Sequence, residues 1–384
     1  MAAEASERTR RQIALVGPAA PFRGGIAQFT DTVAAGLRDR GWPVYMATFR
    51  RQYPGFLFPG TSQFDPGRVP APGTHRLIDS IGPGTWGAAA KAIAEQDPAA
   101  VVFQYWTPFF APAYGVMARR LAARGVRVAS LVHNVYPHEK RHGFVSLLAG
   151  YFLKRCEALL ALSDAVAEDL WAMGVSAPVQ MAPHPVYGHF GDPLPRGEAR
   201  RRLQLPENAD LLLFFGFVRA YKGLPVLLRA LPRILARRPR ARLVVAGEFY
   251  EDEQTYRDLI ASLGLEDTVL VRAEYIPEEE VGLYFSAANL VVQPYESATQ
   301  SGVVQTAYHF ERPVVVTDVG GLAEVVTDGV SGYVVPPGDP EALADAVIRY
   351  FGEDREAAFA EGVRRERERF SWGRLLDTLE TMLK

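Results

Sequence analysis

The sequence predicts an α/β protein of two domains, each a parallel sheet with helices on both faces. Three observations carry that prediction. Short apolar runs alternate with helix-period segments along the whole chain, the pattern of strands joined by crossover helices. The 384 residues exceed what one hydrophobic core ordinarily supports. The rhythm also breaks once, between Met181 and Leu205, where Pro and Gly crowd a stretch with no clear period.

Ile13–Val16 reads as a first buried strand, followed by a Gly/Pro-rich loop and a helix from about Ala27 to Arg38. Further strands are expected at Val44–Thr48, Ala100–Phe103, Val126–Val132 and Ala158–Leu162. Ser163 and Asp164 mark a helix start, because their side-chain oxygens can accept from amides that the first turn leaves unpaired. The stretch from Arg50 to Pro83 is rich in Gly and Pro and reads as a long irregular loop, which at that length is more often functional than idle. After the break, Leu211–Phe215 is apolar enough to be buried on both faces. Strands follow at Arg242–Ala246, Val269–Val271, Leu290–Gln293 and Val314–Thr317. Phe370–Lys384 has the period of an amphipathic helix that must pack somewhere. The expected layout is a flexible tail at 1–11, a first Rossmann-like domain at 12–190, a linker at 191–205, a second domain at 206–369, and a C-terminal helix at 370–384 packing back toward the first.

Hydrophobic residues at 48% and charged residues at 22% describe a globular chain rather than a disordered one. A formal net charge of −2 argues against a nucleic-acid partner, which would be met by a strongly basic surface. Cys156 is the only cysteine, so the chain can form no internal disulfide and no thiolate metal cluster, which suits a reducing compartment. No apolar run reaches the ~18 residues of a membrane-spanning helix, and residues 1–11 lack the apolar core of a secretory leader. The cytosol is the expected location, with peripheral attachment to the inner membrane face left open.

Two segments carry chemistry. Gly216-Phe217-Val218-Arg219-Ala220-Tyr221-Lys222-Gly223 lies between a buried strand and a helix, at the carboxyl end where parallel sheets bind ligands. Arg219 offers a planar fork of donors and Lys222 a compact charge, both suited to phosphate oxygens. Their spacing alone fits two solvated charges beside a helix start equally well. Pro294-Tyr295-Glu296-Ser297-Ala298-Thr299-Gln300-Ser301-Gly302-Val303 again joins a strand to a helix, whose first amides and dipole favour an anion. By itself it also reads as a small-residue turn with Ser301 as N-cap.

GFVRAYKG (216–223), LVVAGE (243–248), AEYIPEEEVGLYFSAANLVVQPYESATQSG (273–302) and ERPVVVTDVGGLAEVVTDGVSGYVVPPGD (311–339) follow in order. This series resembles the donor-binding half of retaining glycosyltransferases of family 4, which have the GT-B fold, two Rossmann-like domains whose parallel sheets face a central cleft. It covers Leu211 to Phe370; the first half resembles the family through Gly24-Gly25 and the His133-Asn134 region. The resemblance implies that Arg219 and Lys222 bind the donor diphosphate, with Gly216 and Gly247 in the surrounding turns. Thr299, Gln300, Ser301, Gly302 and Val303 would frame the same group, backbone amides coming from the last three. Tyr275 and Ile276 would lie against the base, Gly24 and Gly25 would face the diphosphate across the cleft, and His133 would reach a hydroxyl of the donor sugar. Glu296 lies near the first of the family's paired glutamates, the catalytic-site carboxylate that touches the transferred sugar, though about two residues early, and Gln305 and Thr306 stand where the second, the usual ribose ligand, would fall. Gln305 can still donate to or accept from a ribose hydroxyl.

Other residues remain open. His133, His138 and His142 lack a recognisable metal-ligand spacing, and no metal or other cofactor is expected. His138 and Glu139 read as acceptor-side groups or as solvated charges. Lys140–Arg155 joins basic ends to an apolar body and reads either as a buried helix or as a surface for an anionic membrane. The aromatic run Tyr105–Phe110 suits an acceptor, though plain packing explains it almost as well. The implied activity is metal-independent, retaining transfer from a nucleotide-diphosphate sugar to a hydroxyl of a glycan, glycolipid or lipid-linked saccharide. A nucleotide-sugar-binding protein without transferase activity, or an epimerase or hydrolase on the same fold, is the alternative.

Overall fold

The apolar run Ile13–Val16 forms strand β1, buried along its whole length. In the computed structural model, which describes residues 11–55, 62–136, 143–186, 188, 190–298 and 301–383, it lies within a parallel sheet with β2 (Val44–Arg51), β3 (Thr74–Asp79), β4 (Ala100–Tyr105), β5 (Arg127–Val132), β6 (Ala158–Ala161) and β7 (Val179–Met181). The order is β3-β2-β1-β4-β5-β6-β7, with Ile13 registered on Val44 on one side and on Ala100 on the other. Helices α1 (Gly25–Asp39), α2 (Pro83–Ala94), α3 (Ala111–Ala122), α4 (Gly143–Leu153) and α5 (Asp164–Met173) are its crossovers. Their boundaries follow local chemistry: the Ser163 side chain accepts from the Val166 amide to open α5, and Gly174 closes it with φ 72°.

The second unit repeats the plan after α6 (Arg196–Arg202). Its strands are β8 (Asp210–Phe215), β9 (Ala241–Ala246), β10 (Val269–Arg272), β11 (Leu290–Gln293), β12 (Val314–Thr317) and β13 (Gly332–Val335). They form a parallel sheet in the order β10-β9-β8-β11-β12-β13. Around it lie α7 (Leu224–Arg237), α8 (Glu253–Ser262), α9 (Glu278–Ala287), α10 (Gly302–His309), α11 (Gly321–Val325), α12 (Pro340–Gly352) and α13 (Glu356–Glu366). Strand order reverses beside β1 in one sheet and beside β8 in the other. A crevice opens beyond the carboxyl ends of strands at such a switch point, and there α/β sheets bind ligands.

The chain divides into residues up to Ala182 plus those from Trp372, and Pro183–Ser371. Helix α14 (Trp372–Leu383) buries Leu375, Leu376, Leu379 and Met382 in the first unit. A Cβ on Gly36 would stand 2.5 Å from a Leu376 methyl, so Gly36 leaves the notch that receives α14. Arg40 pairs with Asp377 at 2.6 Å, and Trp42 Nε1 donates to Glu380 at 3.0 Å.

Three expectations need correction. The division falls at Ala182, earlier than residue 190. Residues 191–205, expected as a linker, contain α6 and belong to the second unit. Arg200 anchors them, donating to the Ala287 carbonyl at 3.0 Å and to Asn289 Oδ1 at 2.7 Å. The stretch from Arg50 to Pro83, expected to be irregular, carries the end of β2 and all of β3, whose place at the sheet edge leaves its residues too exposed for an apolar pattern. Of the expected N-terminal tail only Arg11 lies among the described residues, paired with Asp97 at 2.6 Å.

Candidate functional site

In the second unit the chain leaves β8 at Gly216, with φ 96°, and leaves β9 at Gly247, with φ 146°. A Cβ on Gly247 would stand 2.2 Å from the Gly216 carbonyl oxygen, and one on Gly216 would stand 3.1 Å from Lys222 Nζ and 3.5 Å from a Val303 methyl. Glycine at both positions therefore lets two strand ends, the Lys222 ammonium and the first turn of α10 meet at one point. That point lies at the β8/β11 switch.

The turn Ala220–Lys222 is tied down from several sides. The Ala220 amide donates to Glu251 Oε1 at 2.8 Å, and the Tyr256 hydroxyl donates to the other oxygen of Glu251 at 2.8 Å. The Glu296 amide, just beyond β11, donates to the Tyr221 carbonyl at 2.7 Å. The Arg219 guanidinium lies 4.8 Å over the Tyr250 ring, which packs on Phe217 at 4.6 Å. Such stacking restricts a planar fork while leaving its donors available.

Lys222 is only 8% exposed, and among the described residues it pairs with no carboxylate. Its ammonium stands 5.5 Å over the face of Tyr295. Burial first, and then the nearby Arg219 charge, lower its pKa to about 7. A buried, unpaired ammonium is unfavourable, and a bound anion would supply the missing partner. Next to it α10 begins at Ser301, whose side chain makes no capping bond; its hydroxyl lies 3.4 Å from that of Tyr295. The helix end is thus left uncapped by its own N-cap side chain, as anion-binding helix starts require. Gly302 and Val303 open the helix, and Gln305, one turn in, is 1% exposed with neither amide atom paired among the described residues.

An unpaired buried polar atom costs roughly 1–3 kcal/mol. Replacing Gln305 with Met should therefore raise the melting temperature by about 2–12 °C while weakening binding of any ligand that Gln305 serves. Calorimetric melting of both proteins, with and without ligand, checks both halves.

In the first unit the His133 amide donates to the Tyr105 carbonyl at 2.8 Å, tying the end of β5 to that of β4. His133 Nε2 donates to Gln104 Oε1 at 2.9 Å, both side chains being buried, and the Phe29 ring meets the imidazole edge-on at 4.7 Å. Gln104 passes over the end of β1, where a Cβ on Gly17 would stand 2.8 Å from it. Its amide nitrogen has no partner among the described residues. Gly24 precedes α1 with φ 105°, nothing stands within 4 Å of where its Cβ would be, and Gly25 opens the helix.

Within the second unit the structure gathers Gly216, Arg219, Lys222, Gly247, Ser301, Gly302 and Val303, and Gln305 lies buried one turn into the same helix. Tyr275 lies beyond β10, 6.5 Å from Phe217 with the rings 25° from parallel. Ile276 is a core residue. The Glu296 side chain is exposed and only its amide engages the turn. Thr299, Gln300, His138, Glu139 and His142 lie outside the described residues. The aromatic run after β4 packs: Trp106 meets Phe110 at 4.4 Å and Phe109 meets Tyr53 at 5.3 Å. Sequence reasoning missed Tyr250, Glu251 and Tyr295, which set the turn, and Gln104. The last left one signal, a lone amide in the apolar run Val101-Val102-Phe103-Gln104-Tyr105.

Comparison with known proteins agrees with this geometry. A family model described as Glycosyltransferase Family 4 matches residues 23–187, and one described as Glycosyl transferases group 1 matches residues 209–353. D-inositol 3-phosphate glycosyltransferase of Thermobispora bispora is 35% identical over 189 residues, 47% of this chain and 44% of that protein. The chain spans less than half the length of the first curated relatives it matches, 44%, 38% and 42%. Among solved structures, sucrose-phosphate synthase from Thermosynechococcus elongatus superposes with a TM-score of 0.75 over 97% of this chain and 98% of that one, at 20% identity. Anabaena HepE in complex with UDP does so with a TM-score of 0.73 over 97% and 99%, at 18% identity. At such identities the likeness speaks for the fold.

Proposed function

Because this chain belongs to glycosyltransferase family 4 and has the GT-B fold, we propose that it transfers a sugar from a nucleotide-diphosphate donor to an acceptor hydroxyl, with retention at the anomeric carbon. The observation that carries this reading is the buried Lys222, without a carboxylate partner among the described residues, set against Arg219 and the start of α10. As the glycosidic bond breaks, negative charge grows on the leaving diphosphate. Groups that hold that charge more strongly in the transition state than in the ground state lower the barrier. Lys222 and Arg219 do this with side chains, and Ser301, Gly302 and Val303 with backbone amides. Gln305 takes a ribose hydroxyl. The acceptor attacks on the face that the diphosphate leaves, and a leaving-group oxygen takes its proton.

His133, at the ligand-facing end of the first sheet, takes a hydroxyl of a substrate sugar, and Gln104 positions His133 by accepting from Nε2. Gln104→Leu is then expected to lower kcat/KM about ten- to hundredfold, the cost of a buried donor stripped of its acceptor. It should also change the pH profile of kcat/KM, which a purely structural loss would leave in place. Gln104→Glu, which keeps the acceptor, should restore part of the rate.

Thermal melting against UDP-, GDP-, ADP- and dTDP-sugars tests the donor reading. UDP-glucose goes first, since HepE has been solved with it. At a hundredfold excess over Kd, binding stabilises by about 2.7 kcal/mol, roughly 5–10 °C for a unit of this size. Mass spectrometry with the best donor then follows transfer to glycan, lipid-linked and inositol 3-phosphate acceptors. A panel in which no nucleotide-diphosphate sugar shifts the melt overturns donor binding, and donor left unconsumed with every acceptor overturns transfer.

A further inference from the structure

We propose that the outward face of α4 binds an anionic phospholipid bilayer. Over Gly143–Leu153 the helix carries no charged residue. One face, Ala149, Phe152 and Leu153, is buried in the core of the first unit. A helix apolar on all sides is ordinarily buried on all sides. This one is not: Phe144 is 70% exposed and Leu147 71%. A groove of about 760 Å³ runs along the helix, lined by Gly143, Leu147, Gly150, Tyr151 and Lys154, with Met173 of α5 on its other wall. Those α4 positions recur at helical spacing, so the groove follows one stripe of the helix into its basic end.

At that end stand Lys154 and Arg155, both exposed and without an ion pair among the described residues. The Arg155 guanidinium lies 4.2 Å over the Tyr151 ring. An apolar stripe ending in unpaired cations matches the boundary of a bilayer: Phe144 and Leu147 enter the acyl region, and the two cations reach lipid phosphates along their own apolar stems. A second copy of the chain fits worse, because a contact of this stripe with itself would offer the two cations no carboxylate, Gly143–Arg155 holding none. No helix among the described residues is long and apolar enough to cross a membrane, so attachment would be peripheral. As a crossover helix following β5, α4 begins at the end of the sheet that carries His133. Resting on the transferase reading, this places the membrane on the side from which a lipid-borne acceptor would come.

Sedimentation of the full chain with vesicles tests the proposal without any activity readout, so its failure is separable from failure of the transferase reading. The protein should pellet with phosphatidylcholine vesicles containing phosphatidylglycerol and be released by salt, and should bind pure phosphatidylcholine far more weakly. Lys154→Ala with Arg155→Ala should weaken binding about thirtyfold, from about 1 kcal/mol per basic residue. Phe144→Ser with Leu147→Ser should weaken it by roughly an order of magnitude or more. Melting temperatures should hold, since all four side chains are exposed. No binding to anionic vesicles, or variants that bind like the parent, overturns the proposal. So does light scattering that finds a dimer which Phe144→Ser with Leu147→Ser dissociates while vesicle binding stays unchanged.

Discussion

Replacing Lys222 with Ala is expected to lower kcat/KM for the nucleotide sugar by roughly two to three orders of magnitude, the usual effect of removing one preorganised donor from a developing anion. Three features make the loss large. The ammonium is buried, so its charge acts in a poorly screened place. It has no carboxylate partner among the described residues, so no internal ion pair competes with the ligand. Its position over Tyr295 and against Gly216 is set before the ligand arrives. Arg219→Ala should cost less, because that guanidinium is partly exposed and screened by water. The double variant should lose less than the product of the single losses if both groups hold the same diphosphate. Steady-state kinetics of the three variants measures this, and unchanged turnover in the double variant would remove both residues from the mechanism.

The second large effect is Gly223→Ala. Gly223 closes the same turn with φ 67°, and a Cβ there would stand 1.9 Å from the Pro294 carbonyl oxygen. Left-handed backbone costs a residue with a Cβ roughly 1–2 kcal/mol, and the clash adds to it because backbone on both sides must move. The displaced turn carries Lys222 away from Gly216 and α10. The expected outcome is a melting temperature lower by about 5 °C or more and loss of donor binding in the fraction that stays folded. Gly197→Ala, inside α6 with nothing within 4 Å of the added carbon, should be neutral or slightly stabilising. Equal melting and equal donor affinity for Gly223→Ala and its parent would mean that the turn is not held as described.

Much of the fold was legible because parallel strands buried on both faces write themselves as apolar runs. Leu290–Gln293 and Val314–Thr317 appear with the expected bounds. Elements whose stability comes from their surroundings were not. β3 sits at a sheet edge and alternates poorly, and α6, Arg-Gly-Glu-Ala-Arg-Arg-Arg, hides its one buried arginine, Arg200, among half-buried and exposed ones. The site divided in the same way. Arg219 and Lys222 stood out as charges at a strand end, but their spacing was equally that of two solvated residues. Burial of Lys222, the Tyr295 ring beneath it and the Glu251 tie to the turn all come from residues far along the chain. Gln305 looked like a neutral replacement for an acidic ligand; its buried, unpaired amide became visible only with the packing around α10.

The central claim is that Lys222 grips the donor diphosphate, and proton uptake on binding tests it most directly. Free Lys222, with a pKa of about 7, is largely neutral one unit above that value. A diphosphate beside it favours the charged form and raises the pKa, so binding takes up a proton and donor affinity falls as pH rises above about 7. A nucleotide sugar has no phosphate group of its own that titrates in this range. Calorimetric titration at about pH 8, in buffers of different ionisation heats, should report uptake close to one proton per site for the parent chain and close to none for Lys222→Ala. Nucleotide-sugar binding with no proton uptake, or with equal uptake in both proteins, would contradict it.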